Sequence, residues 1–98
     1  MLPLERIRSA ILNHQYALTE HAYDEMDADA LDVLDVEAAI LTGESCERQT
    51  DDPRGERFLV IGTACDLSTR VGVVGRFAEH DVFLIITVYE IKNGDGHV

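Results

Sequence analysis

The sequence predicts an α+β domain: two to three N-terminal helices packed on a C-terminal antiparallel four-stranded sheet. Two observations predict it. Apolar residues recur at helical spacing as far as Gly43, and from Glu44 onward they fall in strand-like runs separated by turn residues. Helices first and a meander of strands after is the order expected of a sheet covered by helices on one side.

Leu4, Ile7 and Ile11, with Ala10, place an amphipathic helix over residues 3 to 13, with Pro3 tolerated in its first turn. Asn13 and His14 end it. Gln15 to Leu18 alternates weakly, as a short strand would, and Thr19 then caps a second helix with Ala22, Tyr23 and Met26 inward. Asp32 caps a third helix, with Asp35 at its third position and Val36, Ala39 and Ile40 as the apolar face. Gly43 is expected to supply a left-handed stop. Strands follow over Glu44 to Thr50 and Arg57 to Cys65, joined by the turn Asp51-Asp52-Pro53-Arg54-Gly55. The chain continues through Asp66-Leu67-Ser68 into Arg70 to Phe77, turns at Ala78 to Asp81, and enters Val82 to Ile91. That last run is apolar on both faces, which marks an interior strand. Residues 1–92 read as a single domain, and residues 93–98 as a disordered tail.

A length of 98 residues suits one domain with a small stability margin, so association into a homodimer is a natural expectation. The formal net charge of −11 is unevenly placed: residues 1–52 carry 13 acids against 3 arginines, a net −10. Between Glu20 and Glu37 stand 8 acidic side chains and no Lys or Arg, a stretch that repels phosphate backbones. RNA is therefore expected to approach only through the C-terminal sheet. No cationic leader precedes an apolar run at the start, so the mature chain is expected to begin near Met1. The longest apolar stretches are strand-sized, well short of the roughly 20 residues of a membrane span. Cys46 and Cys65 form no C-x-x-C pair, which points to reduced thiols in a cytoplasmic protein.

The acidic run Asp27-x-Asp29-x-x-Asp32 invites a calcium reading, but the central Gly and terminal Glu of an EF-hand loop are here Asp32 and Ala38. His21 with Asp24 or Glu25 supplies two ligands, which make no metal site. The four histidines show no H-x-x-x-H spacing, no motif calls for a cofactor, and no serine or cysteine sits in a nucleophile motif. Metal-independent RNA cleavage needs less: an acid or base and a cation beside the phosphate. Arg76, Tyr89 and His21, with Thr87, are the residues that supply those types, provided that strand register puts Arg76 and Tyr89 on one face.

The ordered pieces Leu18-Thr19-Glu20-His21-Ala22-x-x-x-Met26, Leu31-Asp32-x-x-Asp35-Val36-x-x-Ala39-Ile40-x-x-Gly43 and Ile85-Ile86-Thr87-Val88-Tyr89 resemble the domain of unknown function 4258 family. The resemblance covers about residues 15 to 92. It implies kinship with the RelE, ParE and BrnT toxin group, hence helices packed on an antiparallel sheet and, in many toxins of that group, RNA cleavage or gyrase inhibition. Members of the family commonly place arginines where this chain has Glu25 and Asp29, charge reversals that remove phosphate affinity beside His21. The expected function is therefore partner binding in a toxin–antitoxin-like module. Glu20, Asp24, Asp27 and Asp29 are the expected docking residues for a basic or antitoxin-like protein, and the alternative is a metal-independent ribonuclease.

Overall fold

The computed structural model describes residues 2–92. Its elements are α1 (Pro3–Leu12), β1 (Tyr16–Leu18), α2 (Glu20–Ala28), α3 (Val33–Leu41), β2 (Ser45–Gln49), β3 (Arg57–Thr63), β4 (Arg70–Phe77), a single 3₁₀ turn (Glu79–Asp81) and β5 (Phe83–Ile91). The tail 93–98, expected to be disordered, lies outside the described residues.

The sheet has five strands in the order β1-β5-β4-β3-β2, with β1 parallel to β5 and every other pair antiparallel. The expected four-stranded antiparallel sheet is therefore corrected to a five-stranded mixed one. The short strand expected over Gln15 to Leu18 is present as β1, and its place in the sheet was not legible because its partner Phe83–Ile85 lies at the far end of the chain. The pairing is secure at both ends: the Phe83 N–H donates to the Gln15 carbonyl (2.9 Å) and the Thr19 N–H to the Ile85 carbonyl (3.0 Å).

The helices pack on one face of this sheet. Ile7 and Ile11 of α1, Ala22 and Met26 of α2, and Val36, Ala39 and Ile40 of α3 meet Val60, Val71, Val73, Phe83, Ile85 and Val88, all essentially inaccessible to water. Burying each of the larger of these side chains contributes about 1.5–3 kcal/mol before entropy is counted. Tyr23, expected inward, is instead 47% exposed. Ala22 and Met26 are one turn apart and define the buried stripe of α2, and a residue between them points about 100° away. The α3 capping box forms as expected, with Asp32 Oδ1 accepting from the Asp35 N–H (3.0 Å) and Asp35 Oδ2 from the Asp32 N–H (3.1 Å).

Gly43 does not take the left-handed conformation expected of it; the only described glycine with positive φ is Gly55. The helix closes through Thr42, whose N–H reaches the Ala38 carbonyl (2.9 Å). Gly43 is needed for space instead: a Cβ there would stand 2.7 Å from Val60 Cγ1. Gly62 is tighter still, because α3 crosses β3 so closely that a Cβ would fall 1.9 Å from the Ala39 carbonyl oxygen.

The β3–β4 connection is held by one carboxylate. Asp66 Oδ1 accepts from the N–H groups of Ser68 (2.9 Å) and Thr69 (2.8 Å), and Oδ2 accepts from the Thr69 hydroxyl (2.6 Å). The Thr69 hydroxyl and the two backbone donors pull the Asp66 carboxyl down to about 2.

Gly62→Ala should destabilise the domain by about 1–3 kcal/mol or more in urea unfolding, because backbone cannot yield as a side chain can. Asp66 is ionised more readily folded than unfolded, so its contribution is complete above the ordinary carboxylate range and lost as pH falls. The stability gap between wild type and Asp66→Asn, present near neutrality, should close between about pH 4 and about pH 2. A gap that stays constant across that window would exclude this role.

Candidate functional site

The acidic stretch read from the sequence divides into two sets once α2 is placed. Thr19 starts the helix, its Oγ1 accepting from the Ala22 N–H (3.1 Å) and its hydroxyl donating to the Ile86 carbonyl (3.2 Å). The helix then runs beside β5 where β1 has ended. Glu25 Oε1 accepts from the Val88 N–H (3.0 Å), and Asp29 Oδ2 accepts from the Glu90 N–H (2.9 Å). The spacing makes this work: residues i and i+4 of a helix are about 6 Å apart along its axis, and residues i and i+2 of a strand about 6.7 Å. Two carboxylates one helical turn apart thus replace the carbonyls of a missing strand. Val88 is fully buried, so without them its N–H would be an unpaired donor at the sheet edge.

Glu20, Asp24 and Asp27 form the second set. All three are exposed, and none makes an ion pair or side-chain hydrogen bond to a described residue. Asp29, expected with them, is committed to Glu90. His21 is on the flank of the same helix with its side chain 67% exposed, and its ring Nε2 lies 3.4 Å from Glu25 Oε2.

The face of the sheet away from the helices is open. Register sorts it into rows: Leu59 and Val74 stand opposite each other, as do Ile61 and Gly72, Gly72 and Tyr89, and Arg76 and Leu84. All of these but Gly72 are half-buried although no described helix covers them. A bulge decides which residues of β5 join them. Gly75 pairs with Ile85 and Val74 with Thr87, so Ile86 is an extra residue that reverses the alternation. Thr87 and Tyr89 therefore share the open face with Arg76, while Phe83, Ile85 and Val88 remain in the core. The Tyr89 ring lies against the bare backbone of Gly72. Arg76 lies four positions further along β4 from Gly72, about 13 Å along the strand. Among the described residues no hydrogen bond or ion pair joins any two of Arg76, His21 and Tyr89.

Arg76 is engaged elsewhere, with a residue the sequence reading had assigned to a turn. Asp52, its side chain only 5% exposed, receives Arg76 Nη2 at 3.2 Å and lies 3.6 Å from Arg57 Nε. The Arg54 N–H donates to Asp52 Oδ1 (2.8 Å), and the Arg54 guanidinium reaches both carboxylate oxygens at 3.3 Å. The Arg54 backbone and side-chain donors, with the positive charges of Arg54 and Arg76, hold the Asp52 carboxyl down at about 2. Sequence reasoning missed Arg57 and Asp52, since a cluster built from a turn and two strands shows no local spacing.

The remaining features are shallow. A groove of about 410 Å³ is lined by His14, Tyr16, Tyr23 and Val33, and the Tyr16 hydroxyl donates to Glu37 beside it. Burial, together with Glu37, pushes Tyr16 up to about 12. A second groove of about 280 Å³ lies where Arg6 stacks on Phe77 (3.7 Å from the ring centre) and pairs with Asp81 (2.7 Å). Burial raises the Cys46 thiol, and burial and Asp35 raise that of Cys65, so neither is activated as a nucleophile. Among the described residues no three His, Cys, Asp or Glu side chains gather as a metal site, and no helix is long and apolar enough to cross a membrane.

Three helices on one face of a five-stranded mixed sheet, with the other face open, define a two-layer α+β domain. The family model described as "Domain of unknown function (DUF4258)" matches residues 18–90, and the chain belongs to that family. No curated protein and no solved structure matches it.

Glu25→Ala and Asp29→Ala should each cost about 1.5–3 kcal/mol in chemical denaturation, the price of leaving a backbone donor without its charged acceptor. Asp24→Ala, one residue away, should change stability by less than about 0.5 kcal/mol. Equal effects at all three positions would contradict the division of the acidic residues.

Proposed function

We propose that this domain acts by binding a protein partner, as one member of a toxin–antitoxin-like pair with a RelE/ParE-type arrangement of layers, and that a basic surface of the partner docks on the outward side of α2. The observation that carries this reading is the stripe Glu20, Asp24 and Asp27. These residues recur at i, i+4 and i+7, face solvent, and are neutralised by no described basic group. A stripe of uncompensated carboxylates steers a cationic partner and repels a polyanion. Exposed Tyr23 stands among them and adds an aromatic contact of the kind that anchors interfaces.

The alternative, a metal-independent ribonuclease using Arg76, His21 and Tyr89, draws support from the bulge that puts Arg76 and Tyr89 on one face. It is the weaker reading. Acid–base catalysis needs the groups within hydrogen-bond reach of one phosphate, whereas Arg76 is bound to Asp52, Tyr89 lies four positions along, and His21 pairs with Glu25.

A tagged chain expressed in its native host should retain a basic protein, and the triple reversal Glu20→Lys, Asp24→Lys, Asp27→Lys should weaken that complex at least about tenfold while leaving the thermal melt unchanged. Capture unaffected by the triple reversal would refute the docking surface. Growth arrest with cleaved transcripts, abolished by Arg76→Ala, would establish the ribonuclease instead.

A further inference from the structure

Arg57 and Arg76 both flank the Phe58–Gly75 pair, so they stand at one level on adjacent strands and both belong to the open face. Like charges placed opposite each other on neighbouring strands repel, and an anion between them relieves the repulsion. The anion is supplied by the chain itself. Asp52 reaches in from the β2–β3 turn and is nearly fully covered in doing so. It does not satisfy the pair completely. Three arginines, Arg54, Arg57 and Arg76, share one carboxylate, and Arg57 Nε is buried with no hydrogen-bond partner, 3.6 Å from Asp52 Oδ2. The cluster therefore holds a local excess of positive charge on a chain whose total is −11.

We propose that Arg57 and Arg76 form a carboxylate-binding cradle on the open sheet face, that its ligand is an acidic-apolar peptide segment of a partner protein, and that Asp52 occupies the cradle in cis until that segment replaces it. Asp52 and Arg54 belong to the same turn and bind each other, so they leave together as a neutral unit and expose two guanidiniums fixed on strands. The turn carries the one left-handed described glycine, Gly55 at φ 122°, where the chain re-enters β3. The surroundings select the ligand. Leu84 is paired with Arg76, and Leu59 and Val74 form the next row, which ends in exposed Glu47 on the edge strand β2, so a carboxylate at the cradle is followed by aliphatic side chains over β3, β4 and β5. A nucleic acid would need stacking platforms and further cations, and here the one aromatic ring of this face among the described residues, Tyr89, lies four positions away. The cradle is separate from the acidic side of α2, so the two surfaces can be tested independently.

The test uses the full chain, labelled with ¹⁵N, titrated with two short peptides that differ only in a central Glu or Gln between Leu and Val residues, and with oligouridylate. The Glu peptide should shift the Arg57 and Arg76 Nε–H resonances and leave that of Arg48 in place, while the Gln peptide should bind at least about tenfold more weakly. Asp52→Asn should tighten the Glu peptide about tenfold or more by removing the internal competitor, and Arg76→Gln should abolish binding. The triple reversal on α2 should leave the titration unaltered, so failure here and failure of the docking reading are distinguishable. The proposal is overturned if the Arg57 and Arg76 signals of wild type ignore both peptides, a result that needs no variant to fold. It is overturned equally if folded Asp52→Asn gains no affinity, or if oligouridylate binds more tightly than the Glu peptide.

Discussion

Strand β5 is completed by two different kinds of neighbour, and the rest of the molecule follows from that asymmetry. Along one side it is paired with β4 throughout. Along the other, three residues of β1 give way to the carboxylates of Glu25 and Asp29, which accept the next backbone donors in place of a strand. The substitution fixes α2 against the sheet edge, buries Ala22 and Met26, and turns Glu20, Asp24 and Asp27 outward. It also protects an edge that would otherwise invite pairing with other chains. An arginine at either position could not perform this duty, since a guanidinium accepts no hydrogen bond.

The sheet's second face is governed by one inserted residue. Ile86 shifts the alternation of β5, so that a strand apolar in nearly every position delivers Phe83, Ile85 and Val88 to the core and Leu84, Thr87 and Tyr89 to the open side. Apolar side chains there are half-buried with no described helix over them, and Asp52 crosses from the β2–β3 turn to Arg57 and Arg76. The molecule thus presents two faces of opposite character, acidic on the helical side and apolar with arginines on the other. Among the described residues no hydrogen bond or ion pair links the two faces through Arg76, His21 or Tyr89.

Much of the fold was legible in the sequence because it rests on local chemistry. The Thr19 and Asp32 caps, the apolar faces of the helices and the span Arg70–Phe77 each depend on neighbours within a turn or a strand. What escaped depends on remote contacts. β1 meets a strand more than sixty residues away, Gly43 answers to Val60 and not to its own helix, and Asp52 finds Arg76 across two strands. Of the candidate site, the acidic character of α2 could be read directly. The separation of Glu25 and Asp29 from Glu20, Asp24 and Asp27 could not, because it is set by the position of an edge that only the folded sheet possesses.

Side-chain carboxylates stand in for a strand at the edge of β5. Site-resolved amide hydrogen exchange of the intact domain tests it most directly. The Val88 and Glu90 amides should be protected to a degree approaching that of amides within the β4–β5 ladder. Exchange of those two amides at the rate of an open sheet edge would contradict the account.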